Sequence, residues 1–304
     1  MFGDLAQGIH LKANAAGGVI RLAAPLPTDI QIGDGIAEGI VGGFAARGTQ
    51  AAQGSQVQAG LIAVGGAAEA EAGAAQVAYA LGLGLSGDPL DKEDLRFTYE
   101  SGLQALPTMP VVLCSPGAWY RKPEAGIDWV KMLHGEQRLT IHRPLPIGGQ
   151  VVGITRVSAV VDKGIGKGAM LYVERELSDK ETGNPLATIG QTLVLRGNGG
   201  CGSTTDKVPQ PHVIPERAPD AVLESTIDPR AGLIYRLSGD YNPLHADPEI
   251  AQRAGFRAPI FHGLGTFGMA GCAVLKGVCN GDPSRITSMA VRFTSPVYPG
   301  ERLS

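Results

Sequence analysis

From Tyr79 onward, apolar and polar residues alternate in four stretches, 138–144, 151–161, 169–177 and 187–195; a period of two marks half-buried strands. Ser178–Pro185 concentrates turn formers and predicts a hairpin between the last two. Ala231–Leu237 has helical spacing that stops at Ser238 and Gly239, and Pro243 restricts the backbone just beyond. Gly263–Leu275 carries small and apolar residues on every side, which predicts a helix buried all round with a sheet wrapped closely on it.

Two stretches lack such rhythm. The first 75 residues are rich in Gly and Ala, with Phe2 and Phe44 their only aromatics, and predict an extension of uncertain order. Gly and Pro dominate residues 199–219, as in an interdomain linker. The expected organisation is an extension (1–75), a first unit (76–198), a linker (199–219) and a second unit (220–304).

The two units read as copies. Leu85-Ser-Gly-Asp88 resembles Leu237-Ser-Gly-Asp240, and Arg143-Pro-Leu-Pro-Ile-Gly148 resembles Ser295-Pro-Val-Tyr-Pro-Gly300, at one common offset. Only the second copy keeps an acid–histidine pair: where His245 follows Asp240, the first copy has Glu93. After its Gly148 turn the first copy runs on through strands to about Leu195, whereas the second reaches Ser304 almost at once. The expectation is a second unit truncated at its C-terminus, with one side of the Gly263–Leu275 helix uncovered.

Composition narrows the partners. The 304 residues, 31.5 kDa, balance 26 Lys and Arg against 29 Asp and Glu, with no basic run, which argues against nucleic acid and against a polybasic membrane anchor. No apolar stretch reaches membrane-spanning length, and the N-terminus lacks the order of a signal peptide. Cys114, Cys201, Cys272 and Cys279 show no paired spacing, so a reducing compartment, the cytoplasm, is expected.

The densest chemistry lies in Tyr235–Pro248. Asp240, Asn242 and His245 project from a tight loop, and an acid and a neutral imidazole sharing one water can deliver hydroxide to one carbon and a proton to its neighbour. The plainer reading is that Asp240 and Asn242 cap a turn and His245 packs as a satisfied polar residue. Gly263 at the first turn of its helix leaves a bare N–H at the positive dipole end, suited to a thioester oxygen gaining enolate charge; the alternative is a structural glycine. Gly263–Gly268 also matches GxGxxG, but no βαβ unit surrounds it. Lys163–Gly168 lacks P-loop spacing, although its two cations on a glycine-rich turn can meet phosphates. Asp240, His245, Asp247 and His262 are a thin metal set, and no metal is expected.

Leu237-Ser-Gly-Asp-Tyr-Asn-Pro-Leu-His-Ala-Asp-Pro-Glu249, followed by Ala254–Ala270, resembles the hydratase motif and central helix of the MaoC-like (R)-specific enoyl-CoA hydratases, of the double hot-dog enoyl-CoA hydratase 2 type. Tyr79–Glu100, Leu106–Leu113, Trp129–Gln137, His142–Pro146, Asp162–Ala169, Ser288–Phe293 and Pro296–Glu301 are similar to that group as well. The resemblance implies an α+β fold of two hot-dogs, each an antiparallel sheet around a central helix, with the first degenerate and its helix lost near Leu113–Trp119. It implies catalysis by Asp240 and His245, with Asn242 in their loop and Gly263 N–H as oxyanion donor, and substrate contacts at His134, Gly135, Lys163 and Phe293. The implied reaction is reversible hydration of trans-2-enoyl-CoA to (3R)-3-hydroxyacyl-CoA in fatty acid metabolism and β-oxidation, with an acyl-CoA partner, no metal or redox cofactor, and a homodimer as assembly. A non-catalytic acyl-thioester-binding protein, an acyl-carrier dehydratase and a thioesterase are the alternatives.

Overall fold

The structure is a computed structural model that describes residues 10–14, 17–21, 68–204, 208–209 and 216–304. It opens with a hairpin of β1 (His10–Asn14) and β2 (Gly17–Arg21), then helix α1 (Ala68–Gly82) and the single turn α2 (Leu95–Thr98). The alternating stretches become β3 (Met132–Ile141), β4 (Val151–Asp162), β5 (Ala169–Asp179) and β6 (Pro185–Leu195). In β5 the odd-numbered residues from Ala169 to Leu177 are buried, the face that alternation predicts. Strand β3 starts ahead of the predicted 138, because Met132–Gln137 pairs with β6 even though His134-Gly-Glu-Gln137 breaks its apolar rhythm.

The second unit supplies β7 (Ser225–Thr226), α3 (Ala231–Tyr235), α4 (Pro248–Arg253), α5 (Gly263–Gly277), β8 (Ser288–Arg292) and β9 (Arg302–Leu303). Five strands form one antiparallel sheet in the order β4-β5-β6-β3-β8. Strand β8 thereby extends the first unit's sheet, in register from Glu136 opposite Arg292 to Thr140 opposite Ser288. Glu136 clamps that junction: Oε1 accepts from Arg292 Nε and Nη2 at 3.0 and 2.9 Å, and Oε2 accepts from Arg138 Nη1 and the Thr192 hydroxyl. A smaller sheet runs β1-β2-β9-β7. The architecture is α+β, a double hot-dog in which the long helix α5 lies in the core.

Every residue of α5 from Gly265 to Leu275 is buried, so the side expected to be open is covered. A Cβ on Gly268 would stand 2.6 Å from Leu83 Cδ2 and 2.9 Å from the Tyr79 hydroxyl, and one on Gly271 would collide with the Thr108 methyl. Helix α1 and the turn at Thr108, both from the first unit, therefore lie directly on α5, and the Tyr79 hydroxyl bonds Thr108 O at 3.1 Å. The open side was expected from the second unit's own strands alone, whereas the cover crosses the duplication.

Most of the predicted extension 1–75 lies outside the described residues, and α1 runs through its boundary. Within the predicted linker, Thr204 N donates to Val160 O at 2.9 Å and Asp162 N to Ser203 Oγ at 3.0 Å, so the start of that stretch lies along the edge of β4. Where the second unit has α5, the first has short 3-10 turns at Met109–Val111 and Trp119–Arg121. Among the described residues no helix is long and apolar enough to cross a membrane, and no disulfide joins the four cysteines.

Candidate active site

The site begins where α3 ends. A 3-10 turn (Arg236–Ser238) stops at Gly239, whose φ of 107° is a left-handed conformation open to glycine, and the chain turns outward at the exposed Asp240. Asp240 Oδ1 accepts from Asn242 N at 3.1 Å, and Asn242 Oδ1 accepts from Leu244 N at 3.2 Å, capping a second 3-10 turn (Pro243–His245). Both side chains thus hold the loop, as the plainer reading expected, while the loop presents His245. Asp247 lies outside the group: its carboxylate caps α4 by accepting from Glu249 N and Ile250 N.

His245 is half-buried, with Nδ1 2.9 Å from Ile260 O. A carbonyl only accepts, so the ring proton of the neutral imidazole sits on Nδ1 and Nε2 keeps its lone pair. Burial pushes the imidazole's pKa below its ordinary value, against the opposing pull of that hydrogen bond and of Asp240.

His262 completes the cluster. It is 1% exposed, forms the N-cap of α5 and stacks on His245 with ring centroids 3.8 Å apart and planes at 30°. Its Nε2 lies 3.2 Å from the backbone carbonyl of Asp240. One ligating atom from each of Asp240, His245 and His262 falls within 4.8 Å of the others, the set that can hold a metal ion as well as a water.

Directly after His262, Gly263 begins α5, and the N–H groups of a helix's first turn have no intrahelical partner. His134 of the first unit and Phe293 of the second face this point. A Cβ on Gly263 would sit 3.6 Å from Phe293 Cζ and 3.8 Å from His134 Nδ1. The His134 and Phe293 rings meet edge to face at 4.9 Å. His134 reaches this position because Gly135 forms a bulge against β6, where a Cβ would press on Val194 Cγ2 at 2.9 Å; Gly135 O accepts from Phe293 N. His134 Nε2–H donates to Glu136 O at 3.0 Å, and burial lowers its pKa to about 4.

Of the residues singled out in the sequence, Asp240, Asn242, His245, Gly263, His134, Gly135 and Phe293 come together. Lys163 stands apart, exposed in the β4–β5 turn with its N–H on Gly168 O. Sequence reasoning did not reach three others. His262 was weighed only as a metal ligand, although its place just before Gly263 was a usable signal. Tyr235 is buried with its ring 4.9 Å from His262. Tyr120 comes from the irregular stretch after Leu113; burial raises its hydroxyl pKa, and the charge of Asp240 adds to that shift.

Residues 73–197 match the family model described as MFE-2 hydratase 2 N-terminal domain, and residues 211–304 the model described as MaoC like domain. The chain is 42% identical over 231 residues to 3-hydroxyacyl-thioester dehydratase Y of Mycobacterium tuberculosis, covering 74% of this chain and 78% of that protein. It is 38% identical over 241 residues to the peroxisomal enoyl-CoA hydratase 2 of Arabidopsis thaliana, covering 74% and 77%. The crystal structure of a MaoC-like dehydratase from Phytophthora capsici superposes with a TM-score of 0.67 at 37% identity, over 76% of this chain and 80% of that one.

Proposed function

The chain belongs to the MaoC-like family, in the branch whose first half is the MFE-2 hydratase 2 N-terminal domain, and on that premise we propose that it is an enoyl-CoA hydratase converting trans-2-enoyl-CoA reversibly to (3R)-3-hydroxyacyl-CoA. The observation that carries this reading is the position of Asp240 and His245 beside the N-terminus of α5.

The thioester carbonyl accepts from Gly263 N–H, where the helix dipole favours growing negative charge. Asp240 accepts one hydrogen of a water and His245 Nε2 the other. The water oxygen bonds to C3, the C2–C3 π pair moves onto the thioester as an enolate held at Gly263, and His245 takes the proton. His245 then returns that proton to C2 and the enolate collapses. One water is consumed, nothing is oxidised, and His245 begins and ends neutral, which its depressed pKa favours at pH 7. Asn242 keeps the loop in shape through its cap on Leu244.

In this reading residues 220–304 form the catalytic unit and 76–198 the groove for the acyl and CoA parts. His134, Gly135 and Phe293 border the carbonyl end, and Lys163 meets CoA phosphate as an exposed cation. The (3R) configuration follows the family resemblance, and four cysteines without paired spacing fit a reducing compartment such as the cytoplasm.

Mixing the chain with crotonyl-CoA tests the proposal. The conjugated enoyl absorbance should fall, an (R)-specific 3-hydroxyacyl-CoA dehydrogenase should report product, and an (S)-specific one should stay silent. Binding without turnover would support the acyl-thioester-binding alternative, and release of free CoA thiol would support a thioesterase.

A further inference from the structure

His262 touches both members of the dyad without being either. Its backbone is pinned to α5, because its carbonyl accepts from Thr266 N at 2.9 Å and from the Thr266 hydroxyl at 3.2 Å. Its ring lies between Tyr235, at 4.9 Å, and His245, at 3.8 Å. Its Nε2 meets a carbonyl, which only accepts, so Nε2–H donates to Asp240 O, and in the neutral ring Nδ1 carries the lone pair. That Nδ1 is buried and bonded to no other protein group in the described structure. One side chain therefore links the loop carrying the acid, the ring of the base and the helix end carrying the oxyanion donor.

We propose that His262 is the positioning residue of the active site, whose side chain ties the Asp240 loop to the N-terminus of α5 and supports the His245 ring by stacking. This rests on the hydratase reading, and it adds a role that the Asp240–His245 pair alone does not require. The groups facing His262 agree on its charge state. His245 on the Pro243–His245 turn and Arg236 on the Arg236–Ser238 turn disfavour a second cation, Tyr235 on α3 brings a buried neutral ring, and only Asp240 opposes. Burial is the largest influence, and together they lower the His262 pKa to about 4. Near pH 7 the ring is neutral, so the stack with His245 carries no like-charge repulsion even when His245 takes up the proton during turnover.

Two variants separate the contacts. His262→Gln can keep an N–H donor toward Asp240 O but loses the aromatic stack, whereas His262→Phe keeps a ring against His245 and loses the donor. Each should lower kcat by about 10- to 100-fold, since small misplacements of a catalytic group carry losses of that order. KM for crotonyl-CoA should stay within about threefold, as expected of a residue that acts by positioning its neighbours. Imidazole nitrogen NMR gives a readout independent of activity: His245 should show a single Nδ1–H tautomer in the parent protein and tautomer averaging in His262→Gln, which removes the stack. Wild-type kcat in both variants, or an unchanged His245 tautomer signal with kcat and KM impaired alongside a general loss of melting temperature, would overturn the positioning role. If the parent chain hydrates no enoyl-CoA, the hydratase reading fails, while the tautomer experiment still judges the positioning role.

Discussion

His245 Nδ1 and the carbonyl oxygen of Ile260 lie 2.9 Å apart, and this contact leaves Nε2 unprotonated in the neutral imidazole. In the proposed reaction His245 serves as base only while neutral, and its pKa lies below the ordinary 6.5. The acid limb of kcat/KM should therefore have its midpoint below pH 6.5, with activity flat from there to neutrality. A pH–rate profile of crotonyl-CoA hydration checks this; a limb centred above 7 would contradict it.

Gly263 offers a backbone donor that a proline can delete. Proline is well accepted at the first position of a helix, and His262, with φ −59° and ψ 135°, already holds the extended conformation that a following proline requires. The open space beyond Gly263 Cα admits a Cβ at ordinary contact distance. Gly263→Pro should fold with a melting temperature near that of the parent yet lose about 10²–10³-fold in kcat, the loss typical of one oxyanion donor. Gly263→Ala, which keeps the N–H, should retain most activity.

The histidines also set how stability depends on pH. His134 and His262 both have pKa values near 4 in the folded protein against 6.5 in an unfolded chain, so between these values the unfolded state binds more protons. Their contribution is complete above pH 6.5 and is lost as pH falls toward 4. Denaturant titrations should show unfolding free energy declining across that window, and His134→Gln should flatten the decline.

Helix α5 depends on its missing side chains. A Cβ at Gly268 would press into Leu83 and the Tyr79 hydroxyl, so Gly268→Val should destabilise the protein by about 1–3 kcal/mol, as overpacked cores do. Urea unfolding measures this directly. Leu83→Ala, by opening space there, should reduce the additional penalty of the valine in a double mutant.

The fold was legible wherever burial follows one period. Strands β4, β5 and β6 bury alternate residues along much of their length, and α5 is apolar on every side, so the pattern shows both. The start of β3 was hidden because His134–Gln137 is shaped by the bulge and the site rather than by alternation. The cover over α5 was hidden because α1 is Ala-rich with little periodic contrast, and its fit against Gly268 is a relation between distant segments. In the site, Asp240, Asn242, His245 and Gly263 were readable because turn formers and a helix start frame them. Tyr120 was not, and the place of His262 before Gly263 did not show its stack on His245, since a ring stack and the field of a carboxylate exist only once the chain has folded.

The central claim is that Asp240 and His245 together add one water to an enoyl thioester. Its most direct test is turnover of crotonyl-CoA in ¹⁸O-labelled water by the parent chain, Asp240→Asn and His245→Gln. The parent should place ¹⁸O on C3 of a (3R) product, and each variant should lower kcat by about 10²–10⁴-fold with product binding little changed. Parent-level turnover in either variant, or a product without the label at C3, would contradict the account.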